Sequence, residues 1–268
     1  MMSLRKGLWA ALALCVLAGV ASAEPMRTIF TKENKFPGAL KPELSLLGGA
    51  SSFDSDEPDG DRDSYIVAPG ARFGLTDRLT LVATVPYVGE SRGDVDESGL
   101  GDIELGTEFL FFEDIFKYPW IIPHAAVILA TGDEDKDLGA GEGQGRFGIS
   151  VGTTMHDVLH WAVDVSYTMN GAKAEDDGSY ASADSDDDRE DLVTGALSLV
   201  WDLDDRASIL GEVQVRDDAT DPEDDYALRA HLGMTYKVNK HLSVMAYGGG
   251  SSGLEEDYYG MGRAVVSF

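Results

Sequence analysis

The chain has 268 residues, a formal charge of −27 and a single cysteine, Cys15. So acidic a balance excludes a protein that seeks nucleic-acid phosphates, and one cysteine excludes a disulfide framework or a thiolate metal site. No internal stretch approaches the roughly 18 apolar residues that a membrane-spanning helix needs, which excludes a helical membrane protein. It does not exclude a barrel, whose strands show lipid only at every second residue.

Residues 1–23 read as a secretory signal peptide. Arg5 and Lys6 form the positive start, Leu8 to Leu17 the apolar centre, and Ala21-Ser22-Ala23 the small-x-small cleavage site. Leu14, rather than a small residue, precedes Cys15, which argues against a lipoprotein. With Cys15 removed, the remaining chain suits an oxidising compartment without relying on it. Residues 24–41 make a periplasmic N-terminal segment containing Pro25 and Pro37. It either hangs free in the periplasm or folds up as a plug, and the sequence leaves both open.

From residue 42 to 268 the dominant signal is period-two alternation. Leu79, Leu81, Ala83, Val85 and Tyr87 share one face, as do Ile103, Leu105, Thr107, Phe109 and Phe111. Trp161, Val163, Val165, Tyr167 and Met169 alternate with Ala162, Asp164, Ser166 and Thr168. About twelve such segments are expected, each near the roughly 9–11 residues that cross a bilayer as a tilted strand. They span 42–53, 64–75, 78–89, 100–112, 120–131, 145–156, 159–170, 191–202, 206–217, 225–237, 241–251 and 258–268. An even count places both chain ends on one side.

The links alternate in kind. Thr76-Asp77, Asp157-Val158, Asp204-Asp205 and Asn239-Lys240 predict tight turns. Between them fall long polar loops at 54–63, 90–98, 132–144, 171–190, 218–224 and 252–257. That rhythm is the one made by periplasmic turns and extracellular loops. Aromatic residues fall near strand ends on the apolar face: Tyr87, Phe109, Phe111, Trp161, Tyr167, Trp201, Tyr226, Tyr236 and Tyr258. Their amphipathic rings suit membrane interfaces. Lipid leaves an open sheet edge unsatisfied at a cost of several kcal/mol per group, so the sheet must close. The predicted fold is therefore all-β, an antiparallel up-and-down transmembrane barrel of about twelve strands. Phe268, with Val266 and Ala264 before it, resembles the C-terminal signal read by the barrel-assembly machinery.

If the apolar alternate residues face lipid, the others face the lumen. That set is Arg72, Glu104, Glu108, Arg146, Asp164, Glu212, Arg216, Arg229, His231 and Arg263. Charges of both signs either select solutes along a polar conduit or pair into a network that fills a narrow barrel. The acidic loops have Asp184, Asp186, Asp187 and Asp188 as their densest run, a candidate for a hard divalent cation. The competing reading is a hydrated, repulsive outer surface. No cofactor motif is present.

Catalytic signals are weak. Gly148-Ile149-Ser150-Val151-Gly152 matches G-x-S-x-G, but that motif works at a strand-to-helix turn, and here it lies inside a predicted strand. Of five histidines, His156, His160 and His241 lie at predicted periplasmic turns, His231 is predicted lumenal, and His124 has no serine close in sequence to complete a nucleophilic group. The reading is not an enzyme, with no catalytic residue assigned.

Gly99-Leu100-Gly101-Asp102-Ile103-Glu104-Leu105-Gly106 and Ala130-Thr131-Gly132-Asp133, followed by Lys136 and Leu138-Gly139, resemble the strand-opening and loop-opening motifs of the MetA-pathway phenol-degradation family of outer-membrane proteins. Ala130 stands where that family usually has proline. The resemblance implies a transporter-like barrel and a link to aromatic compounds. Taken with the lumen charges, it predicts an outer-membrane channel for passive uptake or efflux of small solutes, aromatic or hydrophobic ones among them. The alternatives are a non-conducting barrel whose acidic loops bind divalent cations, lipopolysaccharide or a surface partner, and a lipid-modifying enzyme. Expected partners are outer-membrane lipid, lipopolysaccharide, the assembly machinery and small solutes, with no nucleic acid.

Overall fold

The computed structural model describes residues 24–53, 61–92, 95–114, 116, 119–136, 138–171, 191–217, 226–254 and 257–268. The expected signal peptide and the Asp184–Asp188 run lie outside those residues. Strands β1 (Pro42–Phe53), β2 (Arg62–Thr76), β3 (Leu79–Thr84), β4 (Tyr87–Arg92), β5 (Val95–Leu100), β6 (Ile103–Phe109) and β7 (Phe112–Glu113) come first. β8 (Trp120–Leu129), β9 (Gln144–Met155), β10 (Leu159–Asn170), β11 (Leu192–Asp202), β12 (Ala207–Arg216), β13 (Ala227–Lys237), β14 (Leu242–Ser252) and β15 (Tyr258–Ser267) follow.

Every pairing is antiparallel, and β15 closes on β1, with Leu44 opposite Val266 and Leu46 opposite Ala264. These segments make twelve staves, because β3 and β4 share one, and β5, β6 and β7 share another. The interruptions have local causes. Pro86 has no N–H to give to the ladder, and the chain turns aside at Val85-Pro86 while the Val85 amide reaches Pro69 O at 3.0 Å. The second break falls at Gly101-Asp102, in the first resemblance motif. Closure satisfies the backbone groups that lipid would leave orphaned.

The tight turns gather at one end. His156 and Asp157 both adopt left-handed backbone (φ 53° and 59°), the hand that suits a twisted hairpin. Asn239 Oδ1 accepts from the amides of His241 (2.8 Å) and Leu242 (3.0 Å) to fix another turn. Both β1 and β15 meet the chain termini at this turn end.

One loop expectation needs correction. Residues 90–92 and 95–98 are strand rather than loop, because β4 and β5 pair as far as Arg92 and Val95, level with Arg62 at the start of β2. Glu90 of this hairpin bonds Arg62 of β2 at 2.6 Å, and Ser91 donates to Asp96 at 2.6 Å. Cross-strand polar pairs thus support a ladder that polar composition alone does not announce.

The outer face is apolar as the alternation requires. Leu81, Leu105, Val165, Leu199, Val213 and Leu232 all project outward, and Phe109, Trp201, Tyr226, Tyr236 and Tyr258 are exposed near strand ends. Inside, one apolar cluster joins Val200, Leu210, Met245, Tyr247 and Tyr259, with Ile29 packed against it. A second joins Leu110, Trp120, Ile122 and Ala162, with Phe36 against it. Ile29 and Phe36 belong to the N-terminal segment, so that segment lies within the barrel.

Candidate functional site: a lumen filled at one end

The lumen is polar because every second residue of each strand turns inward. At the turn end the N-terminal segment occupies it and takes its hydrogen bonds from the strand walls. Glu212 of β12 accepts from the amides of Ile29 (2.7 Å) and Phe30 (3.1 Å). Thr31 bonds Ser198 at 2.6 Å, and the Lys32 amide donates to Ser150 Oγ at 2.9 Å. Arg27 pairs with Glu33 at 2.8 Å within the segment and with Asp202 on β11. Arg263 donates to Met26 O, and Trp120 Nε1 donates to Lys32 O at 3.3 Å. The segment has no ladder partner, so these side chains supply the polar partners that its buried backbone requires.

The ten lumen candidates divide between two settings. Arg72, Glu108, Glu212, His231 and Arg263 meet the N-terminal segment. Arg72 bonds Glu43 (3.0 Å), Glu108 (2.8 Å) and Lys35 O (3.0 Å), and Glu108 also pairs with Lys32 at 3.2 Å. His231 is fully enclosed, with Nε2 3.0 Å from Glu212 and Nδ1 3.0 Å from the Tyr259 hydroxyl. Phe30 and Tyr247 each hold their rings 4.8 Å from His231.

The other candidates, together with Glu108, line a cavity of about 780 Å³ toward the loop end. Glu104, Arg146, Asp164, Arg216 and Arg229 are in its walls, and Ile29, Phe30 and Lys32 form its floor. Glu104 and Arg146 pair with each other across β6 and β9.

Sequence reading missed one cluster in this wall. His124 Nε2 lies 2.8 Å from Asp164 Oδ2, and Ser150 Oγ donates to the same oxygen. Register brings them together: Asp164 faces Ser150, and His124 faces Gly148. A Cβ on Gly148 would stand 2.7 Å from both the His124 ring and Ser166 Cβ. The absent side chain is therefore a signal for the histidine's seat. The three do not have the order of a serine–histidine–aspartate triad, because the carboxylate sits between the other two and takes the Ser150 hydroxyl itself. Of the other histidines, His160 bridges Thr154 and Asp202 at 2.8 Å each, and His241 Nδ1 meets Ser267 O at 2.9 Å.

The two resemblance motifs touch. Asp102 Oδ1 accepts from the amides of Thr131 (3.1 Å) and Gly132 (2.9 Å), and Oδ2 from Ala140 (2.7 Å). One carboxylate thus ties the strand break to the following loop. Among the described residues no group of three His, Cys, Asp or Glu side chains is arranged to hold a metal. Ala264 and Val266 lie in the closing strand β15, and Phe268 follows it.

A solved outer-membrane channel from Pseudomonas putida F1 superposes with a TM-score of 0.71 at 14% identity, over 91% of this chain and 100% of that one. The chain has the fold of outer-membrane channels and porins. KdgM porin matches with a TM-score of 0.52 at 10% identity, over 84% of this chain and 99% of that one. NanC porin matches at 0.52 and 8%, over 84% and 98%. No family model matches the chain, and no curated protein does. The barrel topology fits an outer-membrane protein.

Proposed function

We propose that this barrel is an outer-membrane channel for small solutes, with its loops outside the cell and its turns and both termini in the periplasm. The observation that carries this reading is the cavity of about 780 Å³ that reaches the loop-end rim at Asp191 and Asp217 and ends on Ile29, Phe30 and Lys32. A solute enters this vestibule passively, and its onward passage requires residues 24–38 to yield. Ile29 and Phe30 give the floor an apolar surface that suits an aromatic or hydrophobic body. The contact between the Asp102 and Thr131-Gly132 motifs supports kinship with the MetA-pathway phenol-degradation family.

Planar-bilayer recording on the refolded chain tests the reading. Small, interrupted current steps are expected, and they grow when residues 26–36 are deleted. Absence of steps from both proteins, each shown to be folded by heat-modifiable gel migration, would overturn it. The loops would then become the place to look for a bound cation or lipopolysaccharide.

A further inference from the structure

The lumen wall built by β9 to β12 carries hydroxyls at two levels. Nearer the turns the N-terminal segment engages them: Ser198 meets the Thr31 hydroxyl at 2.6 Å, and Ser150 accepts from the Lys32 amide at 2.9 Å. Nearer the loops stand Ser166, Thr168 and Thr194, which line the vestibule. Ser166 and Thr194 are partners across β10 and β11, and Thr168 lies two residues beyond Ser166 on the same inward face. Gln214 of β12 pairs with Ala196, which makes it a diagonal neighbour of Thr194, and it lines the vestibule too.

Ser166, Thr168 and Thr194 are 7%, 7% and 9% exposed, and among the described residues no protein group bonds their hydroxyls. Buried hydroxyls take partners, so theirs are water or a solute that replaces it. Each hydroxyl can donate and accept, as can the Gln214 amide. Neither sign of charge prevails around them, since the described lining holds four Lys or Arg side chains and five Asp or Glu. Elsewhere in the lining Val82, Gly106 and Ala126 form one row across β3, β6 and β8. Glu104 and Glu108 flank that row on β6, the first paired with Arg146 and the second with Arg72 and Lys32. The vestibule thus mixes apolar contact with hydrogen-bonding groups at close spacing, which is the surface pattern of a sugar ring.

We propose that the vestibule binds neutral, hydroxyl-rich solutes of sugar size, whose hydroxyls replace water on Ser166, Thr168, Thr194 and Gln214. Their C–H faces cover Phe30 and the row of Val82, Gly106 and Ala126. This rests on the channel reading above and adds a solute class to it, because an aromatic body covers the floor and leaves the wall hydroxyls without partners. The segment sets the precedent, with a hydroxyl and an amide of its own seated on wall serines. A site built to bond a solute hydroxyl rejects the analogue that lacks it.

The test is a ligand-observed NMR titration of the refolded full chain with four probes on one ring. They are methyl glucoside, its uronate, its 2-amino analogue, and tetrahydropyran-2-methanol, which keeps the ring and lacks the ring hydroxyls. The glucoside is expected to bind about tenfold more tightly than tetrahydropyran-2-methanol, the scale of one or two net hydrogen bonds, and at least as tightly as either charged analogue. The triple substitution Ser166→Ala, Thr168→Val, Thr194→Val should erase the tenfold preference and leave heat-modifiable gel migration unchanged. Thr194→Val alone should reduce the preference, and it carries the comparison if the triple variant fails to fold. Equal or weaker binding of the glucoside, tighter binding of a charged analogue, or a preference untouched by the substitutions overturns the proposal. Bilayer current separates the two readings: a conducting barrel with no preference for the glucoside sinks the hydroxyl site alone, whereas a silent barrel that prefers it sinks only the channel.

Discussion

The two ends of the lumen hold the same kind of ion pair in opposite surroundings. At the turn end Arg72 and Glu108 are enclosed, with side chains 10% and 4% exposed. At the loop end Arg146 and Glu104 make the equivalent arginine–glutamate pair with side chains 34% and 36% exposed. The difference is the N-terminal segment, which covers the first pair and stops short of the second. A buried pair is costly to break because its surviving partner loses water, whereas a wet pair can be lost cheaply. The arginine–glutamate pair at the turn end is therefore sealed by the segment, and the one at the loop end stays wet.

The largest expected effect comes from removing that difference altogether. Deletion of residues 26–36 should raise single-channel conductance several-fold, since it vacates the space between the two apolar clusters. Unchanged conductance in planar bilayers would show that the segment does not limit flow. Next, Arg72→Ala should destabilise the barrel by about 3–5 kcal/mol, because Glu43 and Glu108 both lose their guanidinium partner in an enclosed site. Chemical unfolding followed by gel migration reads this, and a loss comparable to a surface substitution would refute the enclosed-pair argument.

Gly148→Ala tests the wall between the two regions. Its new methyl meets the His124 ring and Ser166 Cβ at 2.7 Å, for an expected loss of about 1–3 kcal/mol by overpacking. Arg146→Ala should cost only about 0–1 kcal/mol in the same unfolding assay, and the contrast with Arg72→Ala is the sharper result. The smallest effect concerns Glu24. Burial raises its carboxyl, but the Lys35 and Lys237 ammoniums outweigh burial and hold it at about 2, below its ordinary 4.5. A depressed carboxyl contributes stability above its unfolded pKa and loses it as pH falls through the folded value. Glu24→Gln should therefore lower stability slightly at neutral pH, by less than about 1 kcal/mol for so exposed a group, read as a small drop in the thermal midpoint. The difference should vanish near pH 2, and a difference that persists there would exclude the carboxylate as its source.

Alternation made the inward and outward residues legible, since a period of two assigns each strand residue to a face without reference to its partner. Leu81 and Val165 outside, and Glu108 and Asp164 inside, follow from that rule alone. The β4–β5 hairpin was not legible, because its stability rests on Arg62–Glu90 and Ser91–Asp96 contacts rather than on an apolar face. The His124–Asp164–Ser150 cluster escaped for a related reason: its members lie on three strands, and only register makes them neighbours.

The sequence by itself determined a closed antiparallel barrel, because side-chain period and the cost of orphaned backbone groups in lipid are properties of local chain and solvent. Only the tertiary structure decided how the lumen is used. Residues 24–38 carry no period that announces a destination, and their place depends on Glu212, Ser198, Ser150 and Arg72, contributed by strands from across the chain. Buried polar groups must find partners, and which partners they find is a property of the assembled barrel rather than of any one segment.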